Sequence, residues 1–510
     1  MIRLLTAVLT VLLVPVITSA QAPDIAELDK YIASARETWD VPGLAVAILK
    51  DDKVVLAKGY GVREAGKADV VDADTLFAIA SNTKAFTAAA LSMLAEDGKL
   101  KWKDPVQKHL PYFQLYDPYV SAEMRVDDLL CHRSGLGTFC GDLLWYGTPY
   151  SPEEIIRRTR HLRPAGSFRA HYGYSNLMFL AAGEAVAKVS GKPWPEFVTK
   201  RILRPLAMNR TTTTVSQLEA LGNFATPHKP TPDGLRTLAW QNWDTMSAAG
   251  GIISSVNDMT KWLRVQLNRG RIDDDRRLFS EASSHRMWAP QTIIPLSDSS
   301  RERYPTTHFR AYGLGWSLAD YKGRKTVGHG GGYDGMYSRV LMVPEEQLGV
   351  VVLTNSMTGI STALANRIVD AYLGGDQRDW SAEGVKRDRK SRKDFYERIA
   401  KAIAPRAENT KPSHTLEAYA GTYTGKLYGD ATICVEDGKL VLRLLPNKDL
   451  VADLTHLHYD TFVIHWRNEF AWFGEGTAQF LLNAAGNVVE LKLEVPNDDL
   501  WFEELELRRK

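Results

Sequence analysis

Residues Thr75–Gly98 read TLFAIASNTKAFTAAALSMLAEDG, and the rest of the chain is organised around them. Leu76–Ala80 is a short apolar run that leads into Ser81. Asn82–Asp97 is rich in helix formers, with Phe86, Ala89, Leu91 and Leu94 spaced for one buried face and Gly98 as a stop. Ser81 is therefore expected at or beside a helix N-terminus, where backbone N–H groups and the helix dipole favour negative charge. Lys84 follows about one turn later on the same face. A serine hydroxyl at its free pKa is a weak nucleophile and needs an adjacent base or cation; Lys84 is placed to serve. Ser-x-x-Lys also describes a helix-capping serine followed by a surface lysine, so its meaning depends on partners elsewhere.

With 510 residues the chain is too long for one ordinary core, and its 44% hydrophobic and 24% charged residues are those of a globular protein. Residues 1–20 read as a secretory signal: Arg3, an apolar stretch Leu4–Ile17, and the small residues Thr18-Ser19-Ala20 at a cleavage site. This predicts a periplasmic or secreted protein with no stable membrane anchor after cleavage. The formal charge is +2, or +1 without Arg3, which argues against a nucleic-acid partner. Of the three cysteines, Cys131 and Cys140 are close enough in sequence to pair after export; buried free thiols are the other reading.

Taken outward from Ser81, Gly43–Leu49 and Lys53–Tyr60 form a hairpin around Lys50-Asp51-Asp52, and strands return over residues 313–353 before a closing helix Ser361–Leu373. The middle is mainly helical. This predicts an α+β fold: one antiparallel sheet built from both ends of residues 21–375, flanked by helices, with a helical subdomain inserted. Cys131-His132-Arg133-Ser134-Gly135 is a loop in which His132 reads as a brace, and Gly141–Tyr146 is an aromatic stretch suited to a pocket wall. Residues 376–412 read as a charged linker, a solvated helix by its six basic residues in Lys386–Lys393. Residues 413–510 are nearly all strand, with turns at Glu436–Lys439 and Asn483–Asn487, and predict a small barrel. His456 and His458 share a strand face but lack an evident third ligand, so no metal and no cofactor is expected. Gly315-Trp316-Ser317-Leu318-Ala319 approximates the nucleophile elbow of another hydrolase class, but it sits in a strand pattern without the last glycine.

Three features stand in order: Ser81-x-x-Lys84 opening a helix, Tyr174-x-Asn176 after an irregular loop, and His329-Gly330-Gly331 ending a strand before Gly332. Together with FAIASNTK (Phe77–Lys84), HRSGL (His132–Leu136) and AGGIISSVNDM (Ala249–Met259), this resembles the serine β-lactamase and penicillin-binding-protein superfamily, in the branch of class C β-lactamases, D-alanyl-D-alanine carboxypeptidases, D-aminopeptidases and related esterases. The resemblance covers residues 24–375, and the tail resembles the lipocalin-like module appended to such hydrolases. It implies that Ser81, Lys84 and Tyr174 are catalytic, with Ser81 acylated and either Lys84 or Tyr174 as base. Asn176 would orient Lys84 and the substrate amide; His329, Gly330, Gly331 and Gly332 would border the substrate, with Ser81 N–H and a backbone N–H near Gly332 as oxyanion hole. Many relatives carry lysine where this chain has His329, a residue mostly neutral near pH 7. A small ester, amide or D-amino-acid peptide is therefore the expected substrate. β-Lactamase or carboxypeptidase activity, and a non-catalytic scaffold, are the alternatives.

Overall fold

The computed structural model describes residues 23–374, 378–404 and 406–510. The signal sequence expected over residues 1–20 lies outside them. Helix α1 (Ile25–Thr38) starts at Asp24, whose carboxylate accepts the N–H groups of Ala26 and Glu27. Strands β1 (Gly43–Lys50) and β2 (Lys53–Gly61) form the expected hairpin. Asp51 and Asp52 both have positive φ, 49° and 64°, which matches the turn to the twist of its strands.

The chain returns to this sheet as β3 (Thr292–Ile293), β4 (Arg310–Tyr312), β5 (Ser317–Tyr321), β6 (Arg324–Tyr333), β7 (Met336–Val343) and β8 (Leu348–Thr354). The strand order is β2-β1-β8-β7-β6-β5-β4-β3, antiparallel throughout. The two ends of the region meet where Leu44 pairs with Thr354 and Lys50 with Leu348. Alternation along β1 serves two cores: Ala45, Ala47 and Leu49 face one, Leu44, Val46 and Ile48 the other. Such a strand, covered on both faces, reads as the continuous apolar run GLAVAIL.

The inserted part, residues 62–291, contains α2 (Thr83–Glu96), α3 (Asn176–Ser190) and α4 (Val256–Leu267). The sequence predicts one buried face for α2, yet every residue from Thr83 to Leu94 is buried. Its alanines let other elements close on all sides, and Phe86 stacks on Trp262 of α4 with ring centroids 3.9 Å apart. Helix α2 is thus a fixed central post.

On the other face of the sheet lie α1, α5 (Ile360–Leu373) and α6 (Trp380–Ala402). Most of the segment read as a charged linker is α6, and its start is docked: Trp380 donates its indole N–H to Asp370 (2.6 Å), while Trp39 donates to Ser381 Oγ (2.9 Å). The basic run remains on the outer turns, paired at i,i+4 as Lys390–Asp394 and Lys393–Glu397.

The last hundred residues form a closed antiparallel barrel of β9 (Gly421–Gly425), β10 (Gly429–Glu436), β11 (Lys439–Leu444), β12 (Val451–His458), β13 (Thr461–Trp466), β14 (Gly476–Leu482), β15 (Val488–Glu494) and β16 (Leu507–Arg509). Asp437 and Gly438, at φ 47° and 73°, make the tight turn read between β10 and β11. The barrel interior and the core around α2 are one continuous apolar cluster, bridged where Tyr146 meets Phe470 and Phe473. Cys131, Cys140 and Cys434 are free thiols, which excludes the Cys131–Cys140 bridge; Cys131 Sγ instead bonds the Asp127 carbonyl at 3.3 Å. Among the described residues, no group of three or more His, Cys, Asp or Glu side chains is placed to hold a metal, and no helix is long and apolar enough to cross a membrane.

Candidate active site

Ser81 sits in a 3-10 turn, Ala80–Asn82, that runs into α2. Ala80 has φ 45°, an unfavourable conformation for a side-chain-bearing residue that costs about 1–3 kcal/mol. The turn is held against the sheet by Ser338 of β7, which accepts from Asn82 Nδ2 (2.8 Å) and donates to the Ile79 carbonyl (2.7 Å). Gly331 has to be glycine here: a Cβ would lie 2.2 Å from the Ile79 oxygen and 2.3 Å from Ser338 Oγ. Strand β6 continues through the glycines to Tyr333, two residues past the end read at Gly331, because Gly330, Gly331 and Gly332 pair with Arg339, Ser338 and Tyr337.

Lys84 is fully buried. Its Nζ lies 2.9 Å from Ser81 Oγ, 2.7 Å from Asn176 Oδ1 and 2.9 Å from the Ala249 carbonyl. Desolvation lowers its pKa to about 7, partly opposed by the charge of Asp142. Asn176, at the start of α3, donates Nδ2 to Asp142 Oδ2 at 2.6 Å. Asp142 is buried too, and desolvation raises it to about 8. Ser81, Lys84, Asn176 and Asp142 form a hydrogen-bonded row, buried beyond the half-exposed Ser81, whose two ionisable members both lean toward neutrality near pH 7.

Tyr174 packs beside this row, its ring centroid 4.8 Å from Lys84 Nζ. Burial pushes its phenol well above the usual value, with a hydrogen bond to Ser81 opposing. The loop before it is braced by His132, which has φ 59°, accepts the Ser175 N–H at Nδ1 (3.0 Å) and stacks against Tyr174 at 4.1 Å. His329 lies under the same cluster. Its Nδ1 faces the Gly330 carbonyl at 2.5 Å, so this nitrogen carries the proton, and the Tyr312 hydroxyl donates to Nε2 at 2.7 Å. Desolvation, then the positive charges of Lys84 and Arg339, lower His329 to about 3. The ring is neutral, and both nitrogens are engaged by the protein.

A cavity of about 420 Å³ opens over Ser81, Tyr174 and the glycines of β6. The barrel supplies one wall: Trp472, Asp499 and Leu500. Trp472 stacks on Tyr337 with rings inclined by 22°. Asp499 is raised to about 7 by desolvation and then by the charges of Asp498 and Asp334. The barrel also grips the loop that carries Asp142: Glu504 accepts the Gly141 N–H (2.8 Å), Trp501 donates to the Thr138 carbonyl (2.8 Å) and Asn447 donates to the Tyr146 carbonyl (2.9 Å).

The structure thus brings Ser81, Lys84, Tyr174, Asn176, His329, Gly330, Gly331 and Gly332 together, while Ser317 stays in β5 and His456 bonds the Tyr459 carbonyl in the barrel. Sequence reasoning placed Gly141–Tyr146 at a pocket but gave Asp142 no part. Its signal was an acid at the head of the apolar run Leu143-Leu144-Trp145-Tyr146. Asp499 and Trp472 carried none.

The model of the beta-lactamase family matches residues 28–374. The chain belongs to the beta-lactamase family. Residues 405–509 match a domain of unknown function, DUF3471. Among relatives, this family member is 30% identical to the unguisins hydrolase ungD' of Aspergillus campestris over 82% of this chain and 79% of that one. It is 28% identical to protein flp of Staphylococcus aureus, covering 64% of this chain and 62% of that one. Its fold is shared with the octameric penicillin-binding protein homologue of Pyrococcus abyssi (TM-score 0.62, 24% identity, 95% of this chain and all of that one). It is shared too with a D-stereospecific amidohydrolase of Streptomyces (TM-score 0.55, 23% identity, 69% and 100%).

Proposed function

We propose that the protein is an exported serine hydrolase that cleaves an ester, amide or D-amino-acid peptide through an acyl-enzyme on Ser81. The observation that carries this is the coordination of Lys84 Nζ. Two of its three neighbours, Asn176 Oδ1 and the Ala249 carbonyl, only accept hydrogen bonds, and the third is Ser81 Oγ. A neutral amine satisfies them with two N–H donors and leaves its lone pair toward the serine hydroxyl. With a pKa near 7, a substantial fraction of Lys84 is in that form at neutral pH.

Ser81 Oγ attacks the substrate carbonyl as its proton passes to Lys84, and the oxyanion forms toward the N–H groups of Ser81 and Gly332. Tyr174, kept protonated by burial, gives its proton to the leaving group and regains one from Lys84. Water then attacks the acyl carbonyl with Lys84 as base and releases Ser81. Among the described residues, the side chains lining the cavity include the carboxyl groups of Asp142 and Asp499 and no lysine or arginine. That composition favours substrates without a carboxylate and disfavours penicillins. The unguisins hydrolase relative supports hydrolysis, and the leader at residues 1–20 supports export.

A fluorophosphonate probe should label Ser81, and p-nitrophenyl esters and D-aminoacyl anilides should be turned over faster than nitrocefin. Ser81→Ala should lose both labelling and turnover while its circular dichroism is unchanged. An adduct on another serine, Ser317 above all, would refute the assignment.

A further inference from the structure

Behind the catalytic strand lies a second cavity, of about 590 Å³, between the sheet, α5 and α6. Successive residues of β7 point to opposite faces, so Ser338 reaches the nucleophile turn while Arg339 turns away from it. Arg339 crosses Gly330, its paired residue, and Nη1 would lie 3.8 Å from a Cβ there. Arg303 and Arg310 approach the same space from the segment before β5, and Arg378 and Arg387 from the α6 side.

Among the described residues, these five guanidinium groups are not balanced. Glu383 is shared by Arg378 (2.7 Å) and Arg387 (3.4 Å). Glu302 is the one carboxylate among the described lining residues. Among the described residues, Arg303, Arg310 and Arg339 have no ion pair and no side-chain hydrogen bond, and the Nε atoms of Arg303 and Arg339 are buried without a partner. Like charge is thereby concentrated around a cavity whose inner end, at the buried Nε atoms of Arg303 and Arg339, is shielded from water, while Arg310 and Arg378 are half-buried and Arg387 is exposed. The remaining lining is rich in hydrogen-bonding groups, among them Ser300, Thr307, Thr326 and Asn366.

We propose that this cavity binds a small multivalent anion, bearing phosphate or carboxylate groups, clasped by Arg303, Arg310 and Arg339. Planar guanidinium forks pair with both groups in bidentate fashion, and several converging forks select more than one negative charge. The site is separate from the hydrolytic pocket: the two share Thr362 in their linings, and Ser81 is on the opposite side of β6. The proposal does not depend on the catalytic reading.

Calorimetric titration of the full chain with inorganic pyrophosphate and with citrate, in about 0.15 M NaCl to screen surface charge, tests it. At least one anion should bind saturably at one site; binding of only one assigns the ligand group, and binding of both indicates shared chemistry. Arg310→Gln and Arg339→Gln should each weaken binding by about tenfold or more. Ser81→Ala and the exposed Arg204→Gln should leave it unchanged. Without ligand, Arg339→Gln should melt no lower than wild type, since it relieves repulsion, whereas loss of a purely structural arginine would lower Tm. No saturable binding of either anion, or wild-type affinity in the folded Arg310→Gln variant, would overturn the proposal.

Discussion

The groups at Ser81 and the wall facing them are built on different terms. On the hydrolase side, most polar atoms at the site are tied to one another: Lys84 has three partners, Asn176 bridges Lys84 to Asp142, and both nitrogens of His329 are engaged, while, among the described residues, Asp142 Oδ1 and His132 Nε2 are buried without a partner. On the barrel side, Asp499 reaches the same cavity from a loop of another domain, and among the described residues its carboxylate has no hydrogen-bond partner. A buried, densely bonded network is rigid and suited to preorganised chemistry. An unsatisfied carboxyl beside aromatic rings is suited to reading a ligand. Under the proposed function, the contrast places rate on one side and selectivity on the other, and mutations can break that division.

The largest effect belongs to Lys84. Lys84→Met should reduce acylation by about 10²–10⁴-fold or more, the range for losing a general base, in kcat and kcat/KM together. Tyr174→Phe should also slow turnover, by about 10²-fold at least for amide substrates, whose leaving group needs the proton most. It should cost less for a p-nitrophenyl ester, whose leaving group departs as an anion. Equal losses on both substrates would deny Tyr174 the role of acid.

Asp499→Asn should leave kcat on a neutral ester nearly unchanged and shift the preference between amine-bearing and neutral substrates by up to about tenfold, roughly 1.4 kcal/mol, through KM. A drop in kcat on every substrate would put Asp499 in the chemistry and erase the division. The smallest effect concerns stability. Asp142 and Asp499 are both raised in the folded state, so the native protein holds more protons than the unfolded chain between pH 4 and 7–8. Their contribution is fully present below the unfolded pKa near 4 and is lost as pH rises through 7 to 8. Lys84 acts oppositely from pH 7 to 10, because its folded pKa is depressed. Asp142→Asn should therefore flatten the fall in Tm between pH 5 and 8 by a few degrees.

How far the sequence reaches follows the same boundary. The hairpin at Asp51-Asp52, the helix after Ser81, the closing helix near Ser361 and the turn at Asp437-Gly438 are local, set by turn residues and periodicity, and were legible. Ser81, Lys84, Tyr174 and Asn176 were legible because the motif fixes their spacing. The docking of α6 was hidden because its basic run dominates the composition, while the burial rests on Trp380, Ser381, Gly384 and Val385 at its start and Ile399 near its end. Asp499 and Trp472 were hidden because nothing local marks a barrel residue that meets a pocket more than 100 residues away along the chain. His329 was read as neutral, but its partners emerge only from the fold: the Gly330 carbonyl turns back on Nδ1, and Tyr312 of β4 reaches Nε2 across β5.

The central claim is that neutral Lys84, and not ionised Tyr174, activates Ser81. Single-turnover acylation by a p-nitrophenyl ester, followed from pH 5 to 10 in wild type and Tyr174→Phe, tests it most directly. Both proteins should show a rate that rises through an inflection near pH 7, the pKa of Lys84, with the variant lower throughout. Loss of that inflection in Tyr174→Phe, or a wild-type rate with no inflection near 7, would contradict the account.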